Sequence, residues 1–232
     1  MHEIKCKNLC LEVGCSNNIS MRKIAILIIL LQTSLLLNLE NGFASAGDKK
    51  ISTALSQIKV ENENRAKKYI RSDYKHWIDA DGDGCDTRRE VLVRESKLDI
   101  SMNCLSNSGE WLSIYDNLTL SDGRKIDVDH VVSLAEAHRS GAWRWDLEKK
   151  SRYANDLDSP WSLRAVSAVS NRFKSDKDPS KYKPTFGICE YTYSVIITKW
   201  RWSLSIDSWE RKSLINNLKN CDDITFIAEK SN

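Results

Sequence analysis

The chain has 232 residues, 41% of them hydrophobic and 29% charged, with a formal net charge of +3. Three prolines, no low-complexity stretch and no internal repeat exclude linker-rich and solenoid architectures, and the length after processing suits one domain with one core. A charge so close to neutral does not by itself imply a nucleic-acid partner, so the distribution of charge matters more than its total.

The first legible element spans residues 21–46. Arg22 and Lys23 precede an apolar run from Ile24 to Leu39, and Ala44 and Ala46 take the −3 and −1 places of a cleavage site. This is the layout of a secretory signal peptide. Its apolar run is interrupted by Gln32 and Thr33 and falls short of the ~20 residues an ordinary membrane-spanning helix needs. Residues 1–20 read as an upstream extension. The expected mature chain is Gly47–Asn232, secreted or periplasmic, without stable membrane association once the signal is removed.

Four cysteines follow: Cys85, Cys104, Cys189 and Cys221. An even number in an exported chain reads as a disulfide framework. Three pairings are possible, and the two short loops favour Cys85–Cys104 and Cys189–Cys221.

In chain order, residues 49–76 read as helix on a broken apolar stripe through Ile51, Leu55, Ile58, Tyr69 and Ile70. Residues 79–86 (DADGDGCD) are a loop, 87–96 a helix, and 98–104 alternate like a strand. Residues 109–130 predict one or two strands around a turn at Ser121-Asp122-Gly123. Helices follow at 134–140 and 146–156, a strand at 162–168, and a polar helix from 169 that Pro179 stops. Two tail helices, about 187–203 and 207–220, complete the chain, the second opening with Asp207 and Glu210 at capping-box spacing. Trp200, Trp202 and Trp209 read as core or disulfide packing. The fold class is α+β with few strands.

The chemistry concentrates at 127–132, DVDHVV. Cutting a phosphodiester requires a base for water, charge to offset the phosphoryl oxygens, and a grip on the strand. A histidine near its ordinary pKa can take the proton, with cleavage expected to fall below about pH 6 as it protonates. Oxygen ligands can hold one divalent cation. Asp129 and His130 point opposite ways on a straight strand but flank one site at a strand end. Asn171 is placed to add a neutral oxygen ligand, with Arg172 and Lys174 beside it as phosphate contacts, inside a stretch (164–183) with six Lys/Arg against two Asp.

DVDHVVSLAEAHRSGAW, followed by YANDLDSPWSLRAVSAVSNRFKSDKDP, resembles the HNH nucleases of the ββα-metal fold. It is most similar to the exported HNH endonucleases related to the nuclease part of GmrSD-type restriction enzymes. The resemblance runs from about Trp77 to Leu218. It implies a ββα-metal core at about 110–180, with added helices in one disulfide-stapled domain, and cleavage that leaves a 5′-phosphate. His130 matches the family's general base, Asp129 its metal aspartate and Asn171 the asparagine completing the metal site, with Asp127 a further ligand candidate. The cofactor implied is one Mg²⁺ or Mn²⁺ and the partner is nucleic acid, DNA first. Arg172, Lys174, Asp176 and Asp178 match the family's basic-acidic tail.

Two departures stand out. Ser133 replaces the usual proline after D-H-V-V, and Ser162 stands where the middle asparagine of the HNH name belongs, so either Ser162 or Asn155 is the candidate for orienting His130. Glu136 is a candidate second partner for the site, His138 a candidate neighbour of the cleft, and His76 reads as packing beside Trp77. Asp79, Asp81, Asp83 and Glu90 fit EF-hand spacing. They form either a structural Ca²⁺ loop or a hydrogen-bonded turn that anchors Cys85 and aims Arg88 at the cleft as a phosphate contact. A non-enzymatic extracellular calcium-binding module using residues 79–90 is the alternative function.

Overall fold

A computed structural model describes residues 47–100 and 104–231. The expected signal peptide and upstream extension lie outside the described residues. The architecture is mixed α+β, with three small antiparallel two-stranded sheets and seven α-helices among the described residues. β1 (Asp48–Lys50) pairs with the last strand, β6 (Thr225–Ile227). α1 (Ile51–Gln57) then buries Ile51, Ala54 and Leu55, one helical face, against α6 (Ile188–Arg201).

The helix expected across 49–76 ends at Gln57. The chain instead follows distant partners. Val60 bridges to Ile206, Asn64 N–H donates to Arg139 O at 2.9 Å, and Tyr74 is fully buried. The run ENENRAKK has no apolar stripe to hold a helix there.

α2 (Thr87–Glu95) is capped by the Asp86 side chain, which accepts from Arg89 N–H. Residues 98–100, expected to begin a strand, are not in one, and 101–103 lie outside the described residues. The stretch expected to hold one or two strands holds three. β2 (Ser108–Ser113) and β3 (Leu118–Asp122) form a hairpin that turns through Tyr115–Asn117 rather than at Ser121–Gly123, and a short 3₁₀ turn leads into β4 (Ile126–His130). β2 alternates, placing Gly109, Trp111 and Ser113 inward. A side chain on Gly109 would collide with the Trp111 ring at 2.4 Å, so the glycine is what lets that indole lie flat on its own strand. Trp111 Nε1 donates to Leu92 O at 2.8 Å, which docks the hairpin on α2.

α3 (Leu134–Arg139) and α4 (Leu147–Ala154) follow, capped by Ser133 and Asp146. Ser133, the departure from proline, supplies the oxygen that accepts from Glu136 N–H. β5 (Leu163–Ser167) pairs antiparallel with β4, His130 opposite Leu163, and runs directly into α5 (Ala168–Lys174). α5 stops at Ser175, whose φ of +52° breaks the helix before Pro179 is reached.

α6 and α7 (Ser208–Leu218) cover the core. Trp200 and Trp202 are buried in it, whereas Trp209 is 69% exposed on the outer face of α7, against expectation. The expected capping box is half-formed. Asp207 accepts from Trp209 and Glu210 N–H, but Glu210 turns inward to Lys199. Lys199 is fully buried between Glu136 and Glu210 and also donates to Ser140 Oγ and Ser205 O. Burial pushes the Glu210 carboxyl well up, against the pull of Lys199. Two disulfides, Cys85–Cys104 and Cys189–Cys221, close the short loops. No helix among the described residues is long and apolar enough to cross a membrane.

Candidate active site

β4 supplies the chemistry because of its pairing. Its period-2 alternation puts Asp127 and Asp129 on the face toward α5 and His130 on the other, and β4 ends at His130, so the chain can bend around the last residue. Asp129, His130 and Asn171 all line one open cleft of about 390 Å³, together with Tyr69, Arg71, Trp77, Arg172 and Asp176.

Asp129 is 4% exposed. Its Oδ1 accepts from Lys174 Nζ at 2.9 Å and its Oδ2 from the Tyr115 hydroxyl at 2.7 Å. Burial raises the Asp129 pKa, outweighing the Lys174 ammonium that pulls it down. Asp127 is more open. Its Oδ2 accepts from Asn171 Nδ2 at 3.1 Å and lies 3.6 Å from Arg172 Nε. With its amide nitrogen so used, Asn171 keeps its carbonyl oxygen as a donor atom.

His130 is 8% exposed, and its Nε2 lies 2.8 Å from Ala154 O. A carbonyl can only accept, so Nε2 carries the proton and Nδ1 the lone pair. Burial, seconded by the neighbouring His76 and then by the charges of Lys174 and Arg71, lowers the pKa to about 3, against the upward pull of the Ala154 carbonyl. The ring is therefore neutral well below the pH 6 expected from an ordinary histidine.

Several expected roles change. Lys174 is 0% exposed and pairs with Asp129 and His130 O, so it is an internal counter-charge and not a phosphate contact. Arg88 donates to Gly123 O and Ile126 O, tying α2 to the turn before β4 instead of reaching the cleft. The Ser162 hydroxyl goes to Asp156, and Asn155 goes to the backbone of 75–78, Ser151 and Thr87, so a main-chain carbonyl orients His130. Glu136 is taken up by Lys199 and Ser140. His138 is buried against Tyr69 and Tyr74 and bonds Tyr74 Oη at 3.0 Å. Asp176 pairs with Arg139, and Asp178 with Lys181 and Ser180. His76 packs on Trp77 as expected and also lies 6.3 Å from His130.

The cleft also contains residues the sequence did not suggest. Arg71 faces it from the loop side, its guanidinium donating to His76 Nε2 at 3.2 Å, and Trp77 stacks on His130. The carboxylate of Asp129 and the amide oxygen of Asn171 are hard donors of the kind Mg²⁺ or Mn²⁺ takes. Such an ion would share Asp129 with Lys174, so the donor set fits a weakly held cation.

In the 79–90 loop, Asp79, Asp81 and Asp83 bring carboxylate oxygens within 4.8 Å of one another, as do Asp83 and Glu90. Asp79 accepts from Gly82 and Gly84 N–H, and Asp83 from Cys85 N–H, so hydrogen bonds already hold the turn.

Over 170 residues the chain is 35% identical to a protein of Arthroderma benhamiae described as an uncharacterized secreted protein, covering 72% of this chain and 82% of the relative. No family profile and no solved structure matches the chain.

Proposed function

Since the chain belongs to the family of that secreted fungal protein and is itself secreted, we propose that it is an exported, metal-dependent HNH endonuclease that hydrolyses phosphodiester bonds of nucleic acid, DNA first. One observation carries the reading: a neutral histidine with its Nδ1 lone pair kept free shares one cleft with a carboxylate and an amide oxygen. The antiparallel pairing of β4 with β5 and the helix α5 that follows β5 support it, as two strands and a helix around the site, with α3 and α4 inserted between the strands.

In this reading His130 takes a proton from water at Nδ1 while the Nε2–H bond to Ala154 O holds its tautomer. The water oxygen bonds to phosphorus as the bond to the 3′ oxygen breaks, and the departing 3′ oxygen keeps the electron pair and takes a proton from solvent water, giving a 3′-hydroxyl and the 5′-phosphate the family resemblance implies. Asp129 and Asn171 would hold the divalent cation, which offsets charge on the phosphoryl oxygens when bound. Lys174 fixes Asp129 and favours its ionised form against the opposing effect of burial. Arg172 and Arg71, both lining the cleft, grip the flanking phosphates.

The test is digestion of plasmid DNA and of RNA by the mature secreted protein, with a chelator and then with added magnesium or manganese. Cleavage should require the metal, and His130→Ala should lower it by ~10²-fold or more while nucleic acid still binds. Absence of metal-dependent cleavage of either substrate, or undiminished cleavage by His130→Ala, would sink the proposal.

The clustered carboxylates of Asp79, Asp81 and Asp83 favour a second reading, a calcium-binding extracellular module. It predicts calcium-dependent thermal stability with no cleavage at all.

A further inference from the structure

Two residues lining this cleft have a positive φ, Ser175 where α5 stops and Trp77 in the segment 75–78. Trp77 has φ +58°, a left-handed conformation that a bulky side chain adopts only against a steric penalty. Such strain persists where the surroundings over-determine it, and here they do. Asn155 holds the segment on both sides of Trp77, donating to Lys75 O at 2.8 Å and accepting from Ile78 N–H at 3.2 Å. The same side chain accepts from the Thr87 hydroxyl and donates to Ser151 O, so its four polar contacts are all engaged.

What the strained conformation delivers is an indole laid on His130, ring centroids 5.3 Å apart and planes 24° from parallel. Tyr153 lies 6.5 Å away and 26° from parallel. The imidazole has one polar tether, Nε2 to Ala154 O. One hydrogen bond fixes a point on a ring and leaves the ring free to swing about it, whereas flat neighbours fix its plane. Asn155 follows Ala154 directly, so one side chain sets both the tether and the plate.

We propose that Trp77, clamped by Asn155, is a positioning residue that fixes the plane of His130 and thereby aims Nδ1 into the cleft. The proposal rests on the nuclease reading for what the aiming accomplishes. The rival is plain packing, since Trp77 also lies against the small cluster around Trp111. Packing alone requires bulk; positioning requires a flat face.

Two full-length mature variants separate them. Trp77→Leu keeps apolar bulk and loses the flat face; Trp77→Phe keeps a flat face. On a labelled oligonucleotide with magnesium, Trp77→Leu should lower kcat by about tenfold or more with KM changed less than twofold, the behaviour of a misaimed group. Trp77→Phe should recover most of the loss. Nitrogen NMR of the histidine rings gives a second readout independent of cleavage. Wild type and Trp77→Phe should show His130 as one sharp set of ring signals, protonated at Nε2 by its bond to Ala154 O, and Trp77→Leu the same tautomer with signals broadened by ring motion. If wild type cleaves nothing while His130 still loosens in Trp77→Leu, the positioning stands and the nuclease reading fails. If Trp77→Leu matches wild type in kcat, or leaves the His130 ring signals as sharp as in wild type, the proposal is overturned.

Discussion

Lys174→Met is the sharpest perturbation of this structure, because the structure and a surface-contact view of Lys174 predict opposite results. The substitution removes an ammonium that sits 2.9 Å from Asp129 Oδ1 and 3.1 Å from His130 O, in a position with no solvent exposure. It leaves Asp129 buried with Tyr115 as its remaining hydrogen-bond donor of the two. Breaking one side of a buried ion pair costs roughly 3–5 kcal/mol, because the survivor stays unpaired in a medium that solvates it poorly. For a domain of this size that is a fall in Tm of roughly 10 °C, readable by thermal or urea denaturation. A solvated phosphate contact would cost about 0.5 kcal/mol or less and would act on binding instead.

The pH dependence adds a second signature. The Asp129 pKa is already raised by burial, and losing Lys174 raises it further. A carboxyl whose folded pKa lies above its unfolded value binds more protons in the folded state, so stability falls as pH rises between the two values. The deficit of Lys174→Met should therefore shrink as pH is lowered. Adding Asp129→Asn should recover part of the loss, since neither charge is then left alone. A Lys174→Met protein that melts within 2 °C of wild type, by the same scale of roughly 2–4 °C per kcal/mol, but binds nucleic acid more weakly, would refute the assignment of Lys174 to the interior.

Two further outcomes are expected. His130 has a folded pKa lowered to about 3, so the unfolded chain protonates first; stability should be complete above about pH 6.5 and decline as pH falls below it, and His130→Phe should flatten that decline in urea titrations. By the same shift, loss of cleavage between pH 6 and pH 5 should not track His130, and a His130 ring that protonates with a midpoint near 6.5 in a nitrogen NMR titration would count against its buried neutral state. Arg71→Glu and Arg172→Glu should each weaken binding of all sequences alike and reduce the slope of log affinity against log salt by about 1; unchanged slopes by fluorescence anisotropy would remove these side chains from the phosphate path.

The site-bearing half of the fold was readable because its signals are local. β5, α3 to α7 and the cap at Asp207 follow from apolar period and side-chain chemistry within a few residues. The stretch 58–86 was not, because its conformation depends on partners such as Ile206, Arg139 and Asn155 that are far off in sequence. The acceptor for His130 is a main-chain carbonyl, which every residue carries and no sequence pattern marks. Lys174 is the avoidable error. It lies three residues from Asn171, on the same helical face, so a face that brings Asn171 to the β4 carboxylates brings Lys174 there too.

The clasp of β1 by β6 bears on how the protein is made. Its edge is continued by Ser52, whose amide and hydroxyl both bond Asp223, 171 positions away. Contacts of such separation form late, after nearer segments have given up their chain entropy. A polypeptide emerging N-terminus first has β4, β5 and α5 outside before the strand that closes the ends exists. During that interval α1 has its apolar face uncovered, since α6 also arrives afterwards. The aggregation-prone period in production is thus set by the last forty or so residues, and deletions at the C-terminus should lower the yield of soluble protein before they touch any residue of the cleft.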